Sequence, residues 1–406
     1  MQEIVSPASR AAVIDRRRAK LDTADMIAPR LWILTAVAGC ALAAEDLPRG
    51  RVVERVVCAG NPHQSYALYL PPDYSAEHAW PILYCLDPLA RGRVPVERFH
   101  NAAAKAGFIV AGSNNSRNGP NDLAREAIQW ILTDTHERFA IDDSRVYVTG
   151  FSGGARLALA WAGSARIAGV IACGAGFGGS QVPKQVPSRI YATAGVDDFN
   201  YDEVYSMSRE LSRRGVPQRF APFAGGHDWL PEALTVEAFD FLSGRLPAEP
   251  PPSESPVQKK TAALYSKLTD EVERGDERDR RSTIDRVRRD SERTADGPER
   301  RAARRVLTGV FIGAIEQGRA LLNARKYPEA GQALELAVLV RPESAEAWYA
   351  LSESRAGSHD RRRSLDALQQ AIEKGFSDRD RIERDPLFDG LRQEPKYAAA
   401  IAALKR

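Results

Sequence analysis

The chain has 406 residues, 57 of them Lys or Arg and 54 Asp or Glu, for a formal net charge of +3. With 43% hydrophobic and 27% charged residues it has the proportions of a globular protein, and so small an excess of positive charge leaves no footprint for nucleic acid or an anionic surface as partner. The length sets an expectation of two domains or three. The four cysteines, Cys40, Cys58, Cys85 and Cys173, show no C-x-x-C and no metal-ligand spacing. Cys85 and Cys173 sit in apolar runs and read as core thiols, while a Cys58–Cys85 disulfide would be open to an exported chain.

Residues 1–44 form an N-terminal extension. A polar stretch with Arg16-Arg17-Arg18 precedes Met26, followed by a short charged lead at 26–30, apolar residues 31–38 and the small-residue run Ala41-Leu42-Ala43. This is the layout of a secretory signal, too short to span a membrane, and it suggests that translation starts at Met26. Val37-Ala38-Gly39-Cys40 also resembles a bacterial lipobox, in which Cys40 would carry a lipid anchor. Cleavage after Ala43 or Ala44 is the alternative, giving a soluble periplasmic or secreted protein. Both readings expect export.

Residues 45–245 alternate strand-like and helix-like segments. Strands are expected at 51–57 and 64–70, the second ended by Pro71-Pro72, and at 81–87, near-continuously apolar as in a sheet covered on both faces. A helix at 96–106, a strand at 108–112 and a long amphipathic helix at 122–139 follow, the last with Ala124, Ala127, Ile128 and Ile131 on one face. Then come a strand at 146–149, a turn and a helix from Ala155, strands at 169–173 and 189–194, a helix at 204–214, a strand at 218–223 and a closing helix at 230–242. Repeated βα units predict an α/β fold, doubly wound around a mainly parallel sheet.

Beyond this, residues 246–256 are a Pro-rich linker, expected to be extended. Residues 257–309 interleave acids and bases around Leu264, Leu268 and Val272, the pattern of solvated helices with a thin apolar stripe. Residues 310–406 hold an internal repeat. Gly318, Ala330, Leu334, Ala337 and Pro342 recur 34 residues later at Ser352, Ser364, Leu368, Ala371 and Phe376. This spacing resembles the tetratricopeptide repeat. It predicts an all-α helical repeat domain, either a surface for a protein partner or a plain alanine-rich bundle.

The chemistry-bearing stretch is VYVTGFSGGARL at 146–157. Strand, glycine-bounded turn and helix place Ser152 at the apex of a G-x-S-x-G, where strain would lift its hydroxyl clear of the sheet. A serine hydroxyl needs a base to take its proton and a carboxylate to orient that base. Asp197-Asp198 follows the expected strand at 189–194, and His227 follows the strand at 218–223, both at the strand ends that share an edge with Ser152. Of six histidines only His227 lies downstream of that acid in a glycine-lined loop between a strand and a helix. Asp198 is the expected acid, Asp197 the alternative, and Asp228 a cap for the next helix. Gly153 supplies one oxyanion N–H. The other is expected from the loop after 81–87, and since Pro88 has no N–H, Leu89 is the candidate. Trp229, Asn114 and Asn115 are candidates to line the substrate pocket.

VYVTGFSGG, the Gly195…Asp198-Phe199-Asn200 turn and Gly225-Gly226-His227-Asp228-Trp229 together resemble the α/β-hydrolase family over residues 50–245. They are most similar to exported bacterial esterases of the polyhydroxybutyrate-depolymerase and feruloyl-esterase kind. The resemblance implies acyl transfer through a serine ester, with an ester substrate, no metal and no cofactor. The chain departs from it at Asp87-Pro88, where the family has His-Gly. An esterase acting on acyl groups of polysaccharide, polyester or small molecules is the leading reading. A catalytically idle hydrolase fold serving as an interaction module with the repeats, and a serine peptidase of the same fold, are the alternatives.

Overall fold

The computed structural model describes residues 47–119, 121–178, 182–293 and 295–404. The signal segment and Cys40 lie outside the described residues. No helix among those described is long and apolar enough to cross a membrane. The chain divides into two compact units, Met1–Ser253 and Glu254–Arg406.

The first unit is built on an eight-stranded sheet: β1 (Val52–Cys58), β2 (Asn61–Tyr69), β3 (Trp80–Leu86), β4 (Ile109–Ser113), β5 (Ile141–Phe151), β6 (Gly169–Cys173), β7 (Ile190–Thr193) and β8 (Gln218–Phe220). The order is β1-β2-β4-β3-β5-β6-β7-β8. β1 pairs with β2, and β2 with β4, antiparallel; every later pairing is parallel. The helices are α1 (Arg93–Ala106), α2 (Asn121–Arg138), α3 (Gly153–Ser164), α4 (Tyr201–Arg213) and α5 (Thr235–Leu242).

Strand side chains alternate between two cores, as a pleated sheet covered on both faces requires. Ile82, Tyr84, Val148, Val170, Ala172, Ile190 and Ala192 pack with Ile128 and Ile131 of α2, Ala158 and Leu159 of α3 and Val204 and Leu211 of α4. Their neighbours Leu83, Cys85, Tyr147, Phe151, Ile171, Cys173 and Tyr191 pack with Val96 and Phe99 of α1 and Phe239 and Phe241 of α5. Cys58, Cys85 and Cys173 are buried free thiols, so Cys58 and Cys85 are not bridged. Burial first, with Asp134 adding to it, pushes the Cys58 thiol up to about 12, and burial pushes Cys173 up to about 12.

One expectation needs correcting. The closing helix does not run unbroken from 230: Pro231 is followed by a 3₁₀ turn at Glu232–Leu234, and only then α5. A second observation adds to the expected linker: the proline-rich stretch is held to the first unit at two places. Glu249 exchanges backbone and side-chain hydrogen bonds with Gln218 at 3.1 and 2.6 Å, and the Tyr205 hydroxyl donates to the Pro252 carbonyl at 2.9 Å, so these residues extend the first unit.

The second unit is helical among its described residues: α6 (Pro256–Arg274), α7 (Glu277–Ser291), α8 (Pro298–Asn323), α9 (Tyr327–Val340), α10 (Ala345–Gly357), α11 (Arg361–Glu373), α12 (Arg379–Arg384) and α13 (Pro395–Ala403). A Ser255–Gln258 capping box and Pro256 start α6. Leu268 and Val272 join the core with Leu264 beside them, while Lys259, Lys260, Lys267 and Asp270 are exposed. Small residues mark close helix contacts in both copies of the repeat. A Cβ on Gly318 would lie 2.5 Å from Leu334 Cγ, and the Ser364 hydroxyl donates to the Ser352 carbonyl at 3.0 Å.

Candidate active site

β5 ends at Phe151, and the chain reverses at Ser152 into α3. Ser152 holds φ 53° and ψ −120°, a backbone region that costs a non-glycine residue about 1–3 kcal/mol. The neighbouring glycines let the surroundings impose that shape. A Cβ on Gly150 would sit 2.1 Å from the Gly154 carbonyl oxygen, and one on Gly154 2.0 Å from that of Leu86. The Ser152 N–H donates to the Cys173 carbonyl at 2.9 Å, which ties the apex to β6.

The three residues expected from sequence meet there. His227 Nε2 lies 2.9 Å from Ser152 Oγ, and Nδ1 lies 2.9 Å from Asp198 Oδ1. Asp198 is acceptor-only when ionised, so Nδ1 carries the proton and Nε2 is left to accept from the serine. The imidazole lies between Phe151 and Phe199, with ring centroids at 4.6 and 4.5 Å. Asp198 is fully buried, and its Oδ1 also accepts the Asn200 N–H at 2.8 Å. Asn200 Nδ2 in turn donates to the Gly174 carbonyl at 2.8 Å. Gly174 has φ 65°, and a Cβ there would approach Asp198 Oδ2 to 3.0 Å. Asp198, not the alternative Asp197, is thus the carboxylate on His227 Nδ1. The Asp197 N–H donates to the Gly225 carbonyl at 2.9 Å and fixes the turn.

The oxyanion side differs from expectation. Gly153 opens α3, so its N–H has no acceptor within the helix. The Leu89 N–H, expected as the second donor, instead donates to Asp87 Oδ1 at 2.9 Å. Asp87 is fully buried and accepts from Arg91 Nε and Nη2, both at 2.9 Å, and from Trp229 Nε1 at 3.0 Å. A buried carboxylate holds its charge only with such partners, and it draws the Leu89 N–H to itself.

Trp229 is 1% exposed, a strut between the histidine loop and the Asp87 loop rather than a pocket wall. Asn114 and Asn115 are likewise not pocket-lining. Asn114 Nδ2 donates to the Glu54 carbonyl at 3.2 Å, Asn115 Nδ2 donates to the His63 carbonyl at 2.9 Å, and Asn115 Oδ1 accepts the Ser65 N–H at 2.9 Å, so the pair bind the β4 loop to the edge strands. Asp228 caps no helix; its Oδ1 accepts the adjacent Trp229 N–H at 2.7 Å. Leu89, in the loop after β3, is 59% exposed.

One further device escaped the sequence. Glu203 of α4 receives Arg156 Nη1 and Nη2 at 2.6 and 2.9 Å and the N–H groups of Gly176 and Gly178 at 3.0 and 3.1 Å. It braces the loop after β6 beside the Asp198–His227 pair. Arg156 and Glu203 are 47 residues apart on separate helices, and no spacing rule connects them.

No family model and no curated protein matches the chain. Solved structures similar to it include an S-formylglutathione hydrolase (FrmB) from Staphylococcus aureus, 16% identical, covering 45% of this chain and 92% of that one with a TM-score of 0.37. A ferulic acid esterase is 18% identical, with 48% and 98% covered and a TM-score of 0.40. An esterase from the archaeon Pyrobaculum calidifontis is 15% identical, with 49% and 87% covered and a TM-score of 0.38. At that identity and overlap, the likenesses carry no argument about activity.

Proposed function

We propose that the first unit is a serine hydrolase that cleaves carboxylic esters through an acyl-enzyme. The observation that carries this reading is the unbroken hydrogen-bonded line from Ser152 Oγ through His227 to the buried Asp198 carboxylate. In this mechanism Ser152 Oγ attacks the ester carbonyl as His227 Nε2 takes its proton. Asp198 stays ionised and stabilises the imidazolium. The carbonyl electron pair moves onto oxygen, which the Gly153 N–H receives. His227 then returns the proton to the leaving alcohol oxygen as the C–O bond breaks, and a water deacylates the serine by the same route.

The substrate class we favour is an acyl ester of polysaccharide, polyester or small molecule. The exposed, apolar Leu89 in the loop after β3 supports an apolar contact for the acyl chain. Action outside the cytoplasm, with or without a lipid on Cys40, rests on the apolar run and small-residue pattern at 31–43. The repeat spacing supports a tetratricopeptide-like second unit that binds a protein partner.

One observation favours the reading of an idle hydrolase fold that serves interaction alone: the Leu89 N–H is committed to Asp87. The test is hydrolysis of a p-nitrophenyl acyl series by the full chain and by Ser152→Ala. The esterase reading expects a loss of about 10⁴–10⁶-fold in kcat. Equal, negligible rates in both would sink it in favour of the interaction module.

A further inference from the structure

We infer that Asn118 is the second oxyanion donor, a catalytic residue contributed by the loop after β4 through its side-chain carboxamide. The inference rests on the hydrolytic reading above. The loop after β3 leaves little choice. Pro88 has no N–H, the Leu89 N–H donates to Asp87 Oδ1, and the Ala90 N–H donates to the Asp87 carbonyl at 3.1 Å. All three positions after Asp87 are therefore closed as donors to substrate.

Asn118 is placed where a donor is wanted. Its N–H donates to the Pro88 carbonyl at 2.9 Å, and Leu89 and Arg117 form an antiparallel bridge, so the β4 loop is stitched onto the β3 loop at the edge where Ser152 stands. Its side chain lies directly against Gly153. A Cβ on Gly153 would lie 1.9 Å from Asn118 Oδ1, 2.7 Å from Cγ and 2.9 Å from Nδ2. The carboxamide therefore flanks the residue whose N–H is the first donor, and Asn118 is exposed to solvent. A carboxamide carries an acceptor and two donor hydrogens, and a half-turn about its terminal torsion exchanges them with little steric change. A developing oxyanion selects the orientation that donates.

The step balances. As the Oγ–C bond forms, the carbonyl π pair becomes a lone pair on oxygen and the serine proton passes to His227 Nε2. Asn118 Nδ2–H and Gly153 N–H both donate to that oxygen until the C–O bond to the alcohol breaks. Gly153 thus has a second reason to lack a side chain: any Cβ would displace the carboxamide.

The experiment compares the full-length protein with Asn118→Ala and Asn118→Asp on p-nitrophenyl acetate from pH 5 to 8, with Ser152→Ala as the reference for no chemistry. Removing an oxyanion donor lowers kcat by about 10²–10³-fold while KM moves by less than about threefold. Asn118→Asp is nearly isosteric and donates only when protonated. Its rate relative to the unsubstituted protein therefore rises as pH falls, and taking the ratio removes the limb both share through His227. Retention of kcat within about twofold in Asn118→Ala, or a flat ratio for Asn118→Asp, overturns the inference while leaving the esterase standing. If the unsubstituted protein turns over no ester beyond Ser152→Ala, the hydrolytic reading falls and this inference with it.

Discussion

Each unit draws a carboxylate wholly or largely out of water, and the two are satisfied in different ways. Asp87 in the first unit is met by four directed donors, from Leu89, Arg91 twice and Trp229. Glu353 in the second unit sits beside another acid, Asp385, and its nearest cation, Arg381 Nη2, is 3.9 Å away. Burial first, then Asp385, push the Glu353 carboxyl up to about 8, with Arg381 opposing. Tyr349 completes the cluster by donating to Asp385 Oδ2 at 3.0 Å, and Glu346 holds Arg381 at 3.1 Å. The lesson is that burial alone does not set a group's behaviour. Directed donors make an acid a fixed strut, whereas their scarcity makes it a proton binder near neutrality.

The comparison can be broken at both ends. The largest effect is expected where an acid's partner is the proposed base, His227. Asp198→Asn leaves the shape of the turn but removes the carboxylate on His227 Nδ1, and kcat for p-nitrophenyl esters should fall by about 10⁴-fold. Next, Asp87→Ala leaves the Trp229 indole N–H buried without an acceptor and releases Arg91. Because Arg91 is about half exposed, a destabilisation of about 2–3 kcal/mol is expected, read from the denaturant midpoint of the first unit. No change there would mean the strut is ornamental.

The smallest effect belongs to Glu353. Its folded value of about 8 lies above its ordinary 4.5, so between those values the native state holds a proton that the unfolded chain has released. The associated stabilisation is fully present below about pH 4.5 and is lost as pH rises through 8. Hydrogen-exchange protection of residues 345–373 should drop by on the order of 1–3 kcal/mol between pH 5 and 8. In Glu353→Gln it should stay level; a matching drop in that variant would move the titration to another group.

What the sequence made legible was local or ordered along the chain. The VYVT strand, the glycine-flanked Ser152 and the helix that follows are one continuous stretch, and Asp198 and His227 each follow a strand in the right succession. The near-continuous apolar run at 81–87, which marks a strand covered on both faces, was readable for the same reason. The rest depended on groups brought together by the fold. Trp229 reads as an aromatic near a site until its indole is found on Asp87, 142 residues earlier. The same carboxylate accepts the Leu89 N–H on its other oxygen, which removes Leu89 as a donor. Asn114 and Asn115 have the composition of a binding loop, yet their amides close the sheet edge. Asn118, three residues on, shows its place only through the space denied to a Cβ at Gly153. The closing helix starts later than the apolar pattern from 230 suggests, because the backbone is extended at Pro231 and turns through a 3₁₀ segment at Glu232–Leu234 first.

The distance along the chain between nucleophile and base has a bearing on the protein's birth. Ser152 and His227 are 75 residues apart, and the strand that delivers the base is the last of the sheet. A polypeptide emerging from the ribosome carries Ser152 well before His227 has been joined to it. On the proposed esterase reading, reactivity waits for the last strand: a chain truncated before β8 carries an alcohol at position 152 with no base to activate it.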